Sequence, residues 1–589
     1  MRLHNSLFLT SLCLPGALSD FLGPIYPAPR DLTSQNSKVA ASWKNLTRAF
    51  ESSFHGHANT TLSELSNLTF SVGLFSTRDP AAEKLQYHHT SPEVANATIG
   101  TRKVDGDSIY RVASVSKLIT AYAGMITLDQ QEWERPLSET FPELAESLRE
   151  TSGTLDPVYD NQWDLITPWS LASQMSGPGA LEATRAAYGL PPIDVSALTG
   201  ALPCASLPVC DASSYTVGSV AIPPIALPWT APIYSNHGYT LLGIAIANLT
   251  GKPLPDVYQE SIFDPLDMQS SYSTQPPESE SFTRGVIGPV TEPIIEPGFI
   301  DNNLTRSSGG IYSTLNDLAK FGTGLLNSTL LSPTETRRWM KPVSHTSDLH
   351  YSVGAPWEIY RYEHTNTGLI TDIYTKLGDS GGYGALSAFL PDFDAGFNVI
   401  TASSDAANRP FQTFALIQAV IDAVVPALTE QAAVELDQKY AGTYASTTEN
   451  LNSSITFTAP RGGPPGLEIT SWISNGTNLM PLLSDIAFKF ATPSYFETGS
   501  PPFKLRPMIS PAGDAGKIVF RPAFERQAPV LPRDPSNLFT SFYDADDFAF
   551  LGQRLWALQY TTTFVFDVEE DGAVPSVDLS AYKVKLQKK

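Results

Sequence analysis

Apolar residues recur at three- and four-residue steps through Val39, Trp43, Leu46 and Phe50, which predicts an amphipathic helix within residues 28–54. The period then drops to two: residues 69–75, Thr-Phe-Ser-Val-Gly-Leu-Phe, alternate as a strand does. A polar loop and another predicted strand lead into a helix running through Leu118, Ala121 and Met125 to Leu128. From about 130 to 300, helical pieces alternate with proline-rich stretches. The longest of these, 186–232, reads as a loop of the kind that forms a lid or rim. A helix is expected at 315–326, then strands at 385–390 and 397–402 joined by a turn over 391–396, then a long apolar helix at 411–428. After Gln431 the pattern changes to short alternating runs at 455–457, 467–469, 517–520 and 562–566, an all-β signature.

A chain of 589 residues exceeds one compact core. The change of pattern sets a boundary near residue 432, giving domains at 20–431 and 432–589. Residues 1–19 read as a secretory leader: Arg2 and His4, an apolar run over 7–14, then small residues at Ala17 and Ser19 before Asp20. That run is shorter than the roughly 20 residues a spanning helix needs. No later segment reads as long enough, and the tail ends in lysines. The expectation is a secreted, extracellular protein without a membrane anchor.

Nine N-x-[ST] sequons, at Asn45, Asn59, Asn67, Asn96, Asn248, Asn303, Asn327, Asn452 and Asn475, fit N-glycosylation on that route. Cys13 leaves with the leader, and an oxidising compartment favours a disulfide between Cys204 and Cys210. A formal net charge of -22 argues against nucleic acid or an anionic membrane as partner.

The chemistry begins at Ser114-Val115-Ser116-Lys117, read as the first turn of a helix. A serine hydroxyl needs a neighbour to take its proton, and a lysine three residues on lies on the same helical face. The spacing alone is cheap, because Ser580-Ala581-Tyr582-Lys583 repeats it. That copy lies in a stretch read as strand, where positions i and i+3 face opposite sides. The first copy has company: Tyr234-Ser235-Asn236 before an apolar helix, and Lys376-Leu377-Gly378-Asp379 leading into a strand.

S-x-x-K, Y-x-N and K-x-G in this order resemble the serine β-lactamases, penicillin-binding proteins and their esterase relatives, the tyrosine version looking like the class C branch. Residues 165–177 and 307–318 are similar to two further segments of that family. The β-rich tail looks like the C-terminal extension of fungal members. The resemblance implies an α/β (α+β) fold: an antiparallel sheet flanked by helices, with a helical subdomain inserted between the first and last strands, plus a C-terminal all-β domain.

It also implies roles. Ser114 would be the acylated nucleophile, with Lys117 and Tyr234 sharing general-base work and Lys376 supplying a cation that depresses the pKa of Lys117. Asn236 would hold a substrate group or orient Lys117. The backbone N–H groups of Ser114 and Asp379 would form an oxyanion hole, and Gly381 and Gly382 would let the chain pass close to substrate. Two positions depart from the pattern: Leu377 replaces the hydroxyl residue of K-T-G, and Gln174 stands where a histidine is usual. The first favours an esterase, amidase or acyltransferase over a β-lactamase. The leading expectation is therefore a secreted serine hydrolase of a small-molecule ester or amide, needing no metal or cofactor. A biosynthetic acyltransferase or cyclase with the same acyl-serine chemistry is the alternative, and an inactive secreted binding protein the third. The intact Ser114, Lys117, Tyr234 and Lys376 argue against the last. His55, His57, His88 and His89 read as solvated loop residues rather than a zinc set.

Overall fold

A computed structural model describes residues 23–55, 61–150, 158–178, 211–287, 303–365, 370–460, 465–483, 503–508, 516–524, 555–556 and 558–589. These form two compact units. One comprises Leu32–Arg361 and Asp372–Val425; the other comprises Pro426–Lys589, Tyr362–Thr371 and the segment ending at Asp31.

The first unit is built on an eight-stranded antiparallel sheet. Its strands are β1 (Thr69–Ser76), β2 (Gln86–His89), β5 (Ser344–His345), β6 (Tyr351–Val353), β7 (Glu358–Glu363), β8 (Ile370–Ser380), β9 (Tyr383–Leu390) and β10 (Ala395–Ala402), in the order β2-β1-β10-β9-β8-β7-β6-β5. β3 (Tyr110–Arg111) and β4 (Tyr312–Ser313) form a separate small pair. β1 therefore pairs with the late strand β10, and the helical part of the chain is inserted between β2 and β5, as expected. The principal helices are α1 (Lys38–Phe54), α2 (Ser116–Thr127), α3 (Asn236–Thr250), α4 (Leu315–Leu326) and α5 (Arg409–Tyr440).

Local chemistry explains several boundaries. α1 begins at Lys38 rather than near 28 because the Ser37 side chain accepts the Ala40 N–H as N-cap, and it buries Val39, Trp43, Leu46 and Phe50. All eight residues of β1 are buried, the nominally outward Thr69 and Ser71 included. Ser71 Oγ meets His88 Nδ1 at 2.8 Å and Thr69 Oγ1 meets Ser91 Oγ at 2.8 Å, so neither hydroxyl is buried without a partner. The first nine residues of α2 are buried, as suits a helix enclosed on all sides.

Three expectations need correction. His88 and His89 lie on β2 as half-buried, hydrogen-bonded residues, not in a solvated loop, and burial lowers the pKa of both. The stretch 186–232 is not all loop: Ala212–Gly218 is a helix capped by Asp211. The helix expected over 411–428 extends to Arg409–Tyr440 with Pro426 inside it, and by length and composition it is apolar enough to cross a membrane. Its residues Leu416, Val420, Val424, Val425 and Leu428 are buried.

The second unit contains β11 (Gly442–Ala445), β12 (Ser454–Thr458), β13 (Glu468–Ser474), β14 (Thr477–Asn478), β15 (Phe503–Met508), β16 (Lys517–Phe524), β17 (Phe564–Asp567), β18 (Ser576–Leu579) and β19 (Val584–Lys588). They form one sheet ordered β14-β13-β12-β11-β19-β18-β17-β16-β15. Paired hydrogen bonds between Leu467 and Leu505 (2.9 and 2.8 Å) link the residue before β13 to β15. Its core is aromatic, with Tyr444, Phe457, Trp472, Phe520, Phe564 and Phe566 buried. The second S-x-x-K is a tight 3-10 turn between β18 and β19 rather than strand. Ser580 Oγ donates to Asp578, and Lys583 closes the turn at φ +53°.

Cys204, Cys210, Asn59 and residues 1–19 lie outside the described residues.

His237, the second residue of α3, is fully buried with Nδ1 2.8 Å from Tyr215 Oη, and burial lowers its pKa from 6.5 to about 4. The unfolded chain therefore binds more protons between pH 4 and 6.5, and stability is lost as pH falls through that window. His237→Asn should remove about 1 kcal/mol of this acid sensitivity at pH 5.5. Urea midpoints of both proteins at pH 7 and 5.5 check it; equal pH shifts would contradict it.

Candidate active site

Ser114 lies one step earlier than expected, in a 3-10 turn (Ala113–Val115) that runs directly into α2. Ala113 just before it has φ +47°, an unfavourable conformation for a residue with a Cβ. Ser116 holds the turn: its Oγ donates to Ala113 O at 2.6 Å and accepts Ile311 N–H at 3.0 Å.

One helical turn on, Lys117 is fully buried. Its Nζ donates to Asn236 Oδ1 at 2.7 Å and Ser308 O at 2.5 Å, and lies 3.1 Å from Ser114 Oγ. A neutral amine placed so would give two N–H groups to those carbonyl oxygens and aim its lone pair at the serine proton. Asn236 is positioned as the first residue of α3, whose N-cap Ser235 accepts Gly238 N–H at 2.8 Å. It contacts Lys117 directly, one of the two roles expected of it.

Tyr234 Oη is 2.6 Å from Ser114 Oγ, and its ring is 42% exposed. Lys117 Nζ and Lys376 Nζ lie 4.9 and 5.3 Å from the ring centroid, so two amines approach the phenol ring. What holds Tyr234 there is Gln174. Its backbone carbonyl accepts Ile233 N–H and its Oε1 accepts Ser235 N–H, both at 2.8 Å, clamping the residues on either side of Tyr234. Gln174 adopts φ +63° to make both bonds.

Lys376 has a partner that the motif did not name. It is buried, and its ammonium pairs with Glu358, whose other oxygen accepts Leu377 N–H at 2.7 Å. Burial pushes the Lys376 pKa down, but Glu358 outweighs burial and the net shift is upward. Lys376 is therefore half of an ion pair, and its field on Tyr234 and Lys117 is offset by a carboxylate. Sequence reasoning missed Glu358. It lies on β7, eighteen positions before Lys376, and no local spacing reports a cross-strand partner.

Gly378 explains the glycine of K-x-G. A Cβ there would come within 2.4 Å of Val112 O and 3.2 Å of Ser114 N, so β8 lies directly against the Ser114 turn. Along an antiparallel strand, alternate residues direct N–H to the same edge. Leu377 N–H points to Glu358, away from β9, and Asp379 N–H shares that edge. The Asp379 side chain is 45% exposed and pairs with buried Arg409. Gly381 lies in the β8–β9 turn at φ +56°, with no protein atom within 4 Å of where a Cβ would stand. Among the described residues no cluster of three His, Cys, Asp or Glu could hold a metal.

Residues 87–420 match the family model described as Beta-lactamase, and residues 432–589 match one described as "Beta-lactamase-like-like, C-terminal domain". The "Beta-lactamase-like protein" of Arthroderma benhamiae is 28% identical over 493 residues, covering 80% of this chain and 75% of that protein. "Probable hydrolase M10" of Phoma sp. is 26% identical over 502 residues, covering 81% and 75%. Among solved structures, the D-amino acid amidase of Ochrobactrum anthropi covers 66% of this chain and 99% of its own, with 20% identity and a TM-score of 0.47.

Two substitutions test the geometry. Gly378→Ala forces β8 away from the turn and should slow turnover of an activated aryl ester about 100-fold, the cost of a misplacement near 1 Å, while leaving the far-UV circular dichroism unchanged. Gln174→Ala should lower kcat about tenfold, well within what a misplaced acid–base group can cost, with KM little changed. Gln174→Glu, which keeps an acceptor for Ser235 N–H, should restore most of the loss. Equal losses in the two Gln174 variants would contradict the clamp.

Proposed function

We propose that this chain, which belongs to the β-lactamase family, is an exported serine hydrolase that opens an ester or amide bond through an acyl-Ser114 intermediate. The observation that carries the reading is the convergence of Lys117 Nζ and Tyr234 Oη on Ser114 Oγ, at 3.1 and 2.6 Å. A buried amine and a phenol on one hydroxyl can take up its proton as it attacks and return it to the leaving group.

In the first half-reaction a bond forms between Ser114 Oγ and the substrate carbonyl carbon. The single serine proton is taken up by the Lys117 amine, Tyr234 keeping its own phenol proton to give to the leaving group and regaining one from Lys117, and the carbonyl oxygen becomes an oxyanion. The N–H groups of Ser114 and Asp379 are the candidate donors to it. Collapse breaks the bond to the leaving alcohol or amine, which receives the proton through Tyr234. In the second half-reaction water gives its proton to the same pair and attacks the acyl carbon. A carboxylic acid leaves, and the Ser114 hydroxyl is restored. Glu358 fixes the Lys376 ammonium beside the Tyr234 ring.

Export is supported by the leader-like residues 1–19 and by the sequons. Asn45, Asn67, Asn96, Asn248, Asn327, Asn452 and Asn475 are all exposed, as acceptor positions for glycan must be.

An activated aryl ester should give a burst of phenolate stoichiometric with enzyme, the signature of an accumulating acyl-enzyme. Tyr234→Phe should slow the burst by about 10²- to 10⁴-fold, the range for a lost acid–base group, and Ser114→Ala should abolish it. Turnover that survives in Ser114→Ala would sink the reading.

A further inference from the structure

The charge arrangement around the β8 edge narrows the substrate. Two cations are built into this part of the first unit, and each already faces a carboxylate. Lys376 pairs with Glu358, and Arg409 pairs with Asp379 while also donating to Gly381 O at 3.1 Å. Both cations are buried, so neither can swing out to a ligand without leaving its carboxylate behind. Glu358 is held in addition by Leu377 N–H, so the carboxylate cannot move aside cheaply. Position 377 offers a leucine and no hydroxyl donor. The remaining amine, Lys117, is directed at Asn236, Ser308 and Ser114.

The surface beside the pair is aromatic. Glu358 and Tyr360 are two apart on β7 and share a face, and Tyr360 pairs across to Tyr351 on β6 with ring centroids 5.0 Å apart. Tyr360 is exposed, as is the Tyr234 ring.

Resting on the acyl-serine reading above, we propose that this site selects uncharged, apolar esters or amides and discriminates against acyl groups that bring a carboxylate to the β8 edge. The Lys376–Glu358 pair is the discriminating element. A substrate carboxylate arriving there meets a cation already neutralised and an acidic oxygen beside it. A neutral apolar chain loses nothing and can lie against Tyr234, Tyr351 and Tyr360.

The test uses a matched pair of activated aryl esters of one straight-chain diacid, the far end being a free carboxylate in one and its methyl ester in the other. Acylation rates are read from the phenolate burst in 0.5 M salt, where the field of the chain's net charge is screened within a few ångströms. The methyl ester should acylate at least about tenfold faster, a discrimination of roughly 1.4 kcal/mol. Glu358→Gln, which keeps an acceptor for Leu377 N–H but frees the Lys376 charge, should reduce that ratio several-fold. An equal or faster reaction of the carboxylate ester overturns the proposal. So does a ratio that Glu358→Gln leaves unchanged, which would assign the discrimination elsewhere. In both cases Ser114-dependent acylation persists and the hydrolase reading stands. No Ser114-dependent burst with either ester would instead bring down that reading, and this proposal with it.

Discussion

One buried amine organises the site. Lys117 sits at the junction of three segments: the nucleophile turn at Ser114, the start of α3 at Asn236 and the short helical turn carrying Ser308. An amine with no access to water must have partners, because burying an unpaired polar group costs on the order of several kcal/mol. The fold meets that demand with two carbonyl oxygens fixed by secondary structure, and the serine hydroxyl lies within the same amine's reach. The constraint runs both ways. The Lys117 contacts hold α2, α3 and the 306–309 turn in register, and that register places the Ser114 hydroxyl within reach of both the amine and the Tyr234 phenol.

The sheet supplies the opposite wall. β8 can approach the nucleophile turn only because Gly378 has no side chain, and its ladder with β9 fixes which N–H groups face outward. The tyrosine arrives from a third direction, on an irregular segment that Gln174 fastens at both flanks. Strained backbone occurs at Ala113, beside the nucleophile, and at Gln174, beside the tyrosine's clamp. Each is over-determined by hydrogen bonds around it, the usual condition for strain to persist at a working site.

Much of this was legible in the sequence because it is periodic or ordered. The strand period at 69–75, the helical period of α4 and the order of the three motifs are local or linear signals. They led to the sheet, to the inserted helical region and to the residues that meet at Ser114. Lys376–Glu358 was not legible, because it joins neighbouring strands and no local spacing reports a cross-strand partner. The motif order drew attention to Lys376 as a cation, and the structure adds the carboxylate it pairs with. The helix expected over 411–428 already ran through Pro426, and the observed α5 continues to Tyr440, past the change of pattern that set the expected boundary. Gln174 looked like a departure from a family pattern, and its side chain in fact makes one of the two bonds that clamp the residues flanking Tyr234.

The central claim is that Ser114, and not its copy at Ser580, is the residue that becomes acylated. A serine-reactive phosphonate followed by intact-protein mass measurement and peptide mapping tests it directly. The account predicts one adduct per chain, mapped to the peptide carrying Ser114, and none on Ser114→Ala. No adduct on the native protein, or an equal adduct on Ser114→Ala, would contradict it.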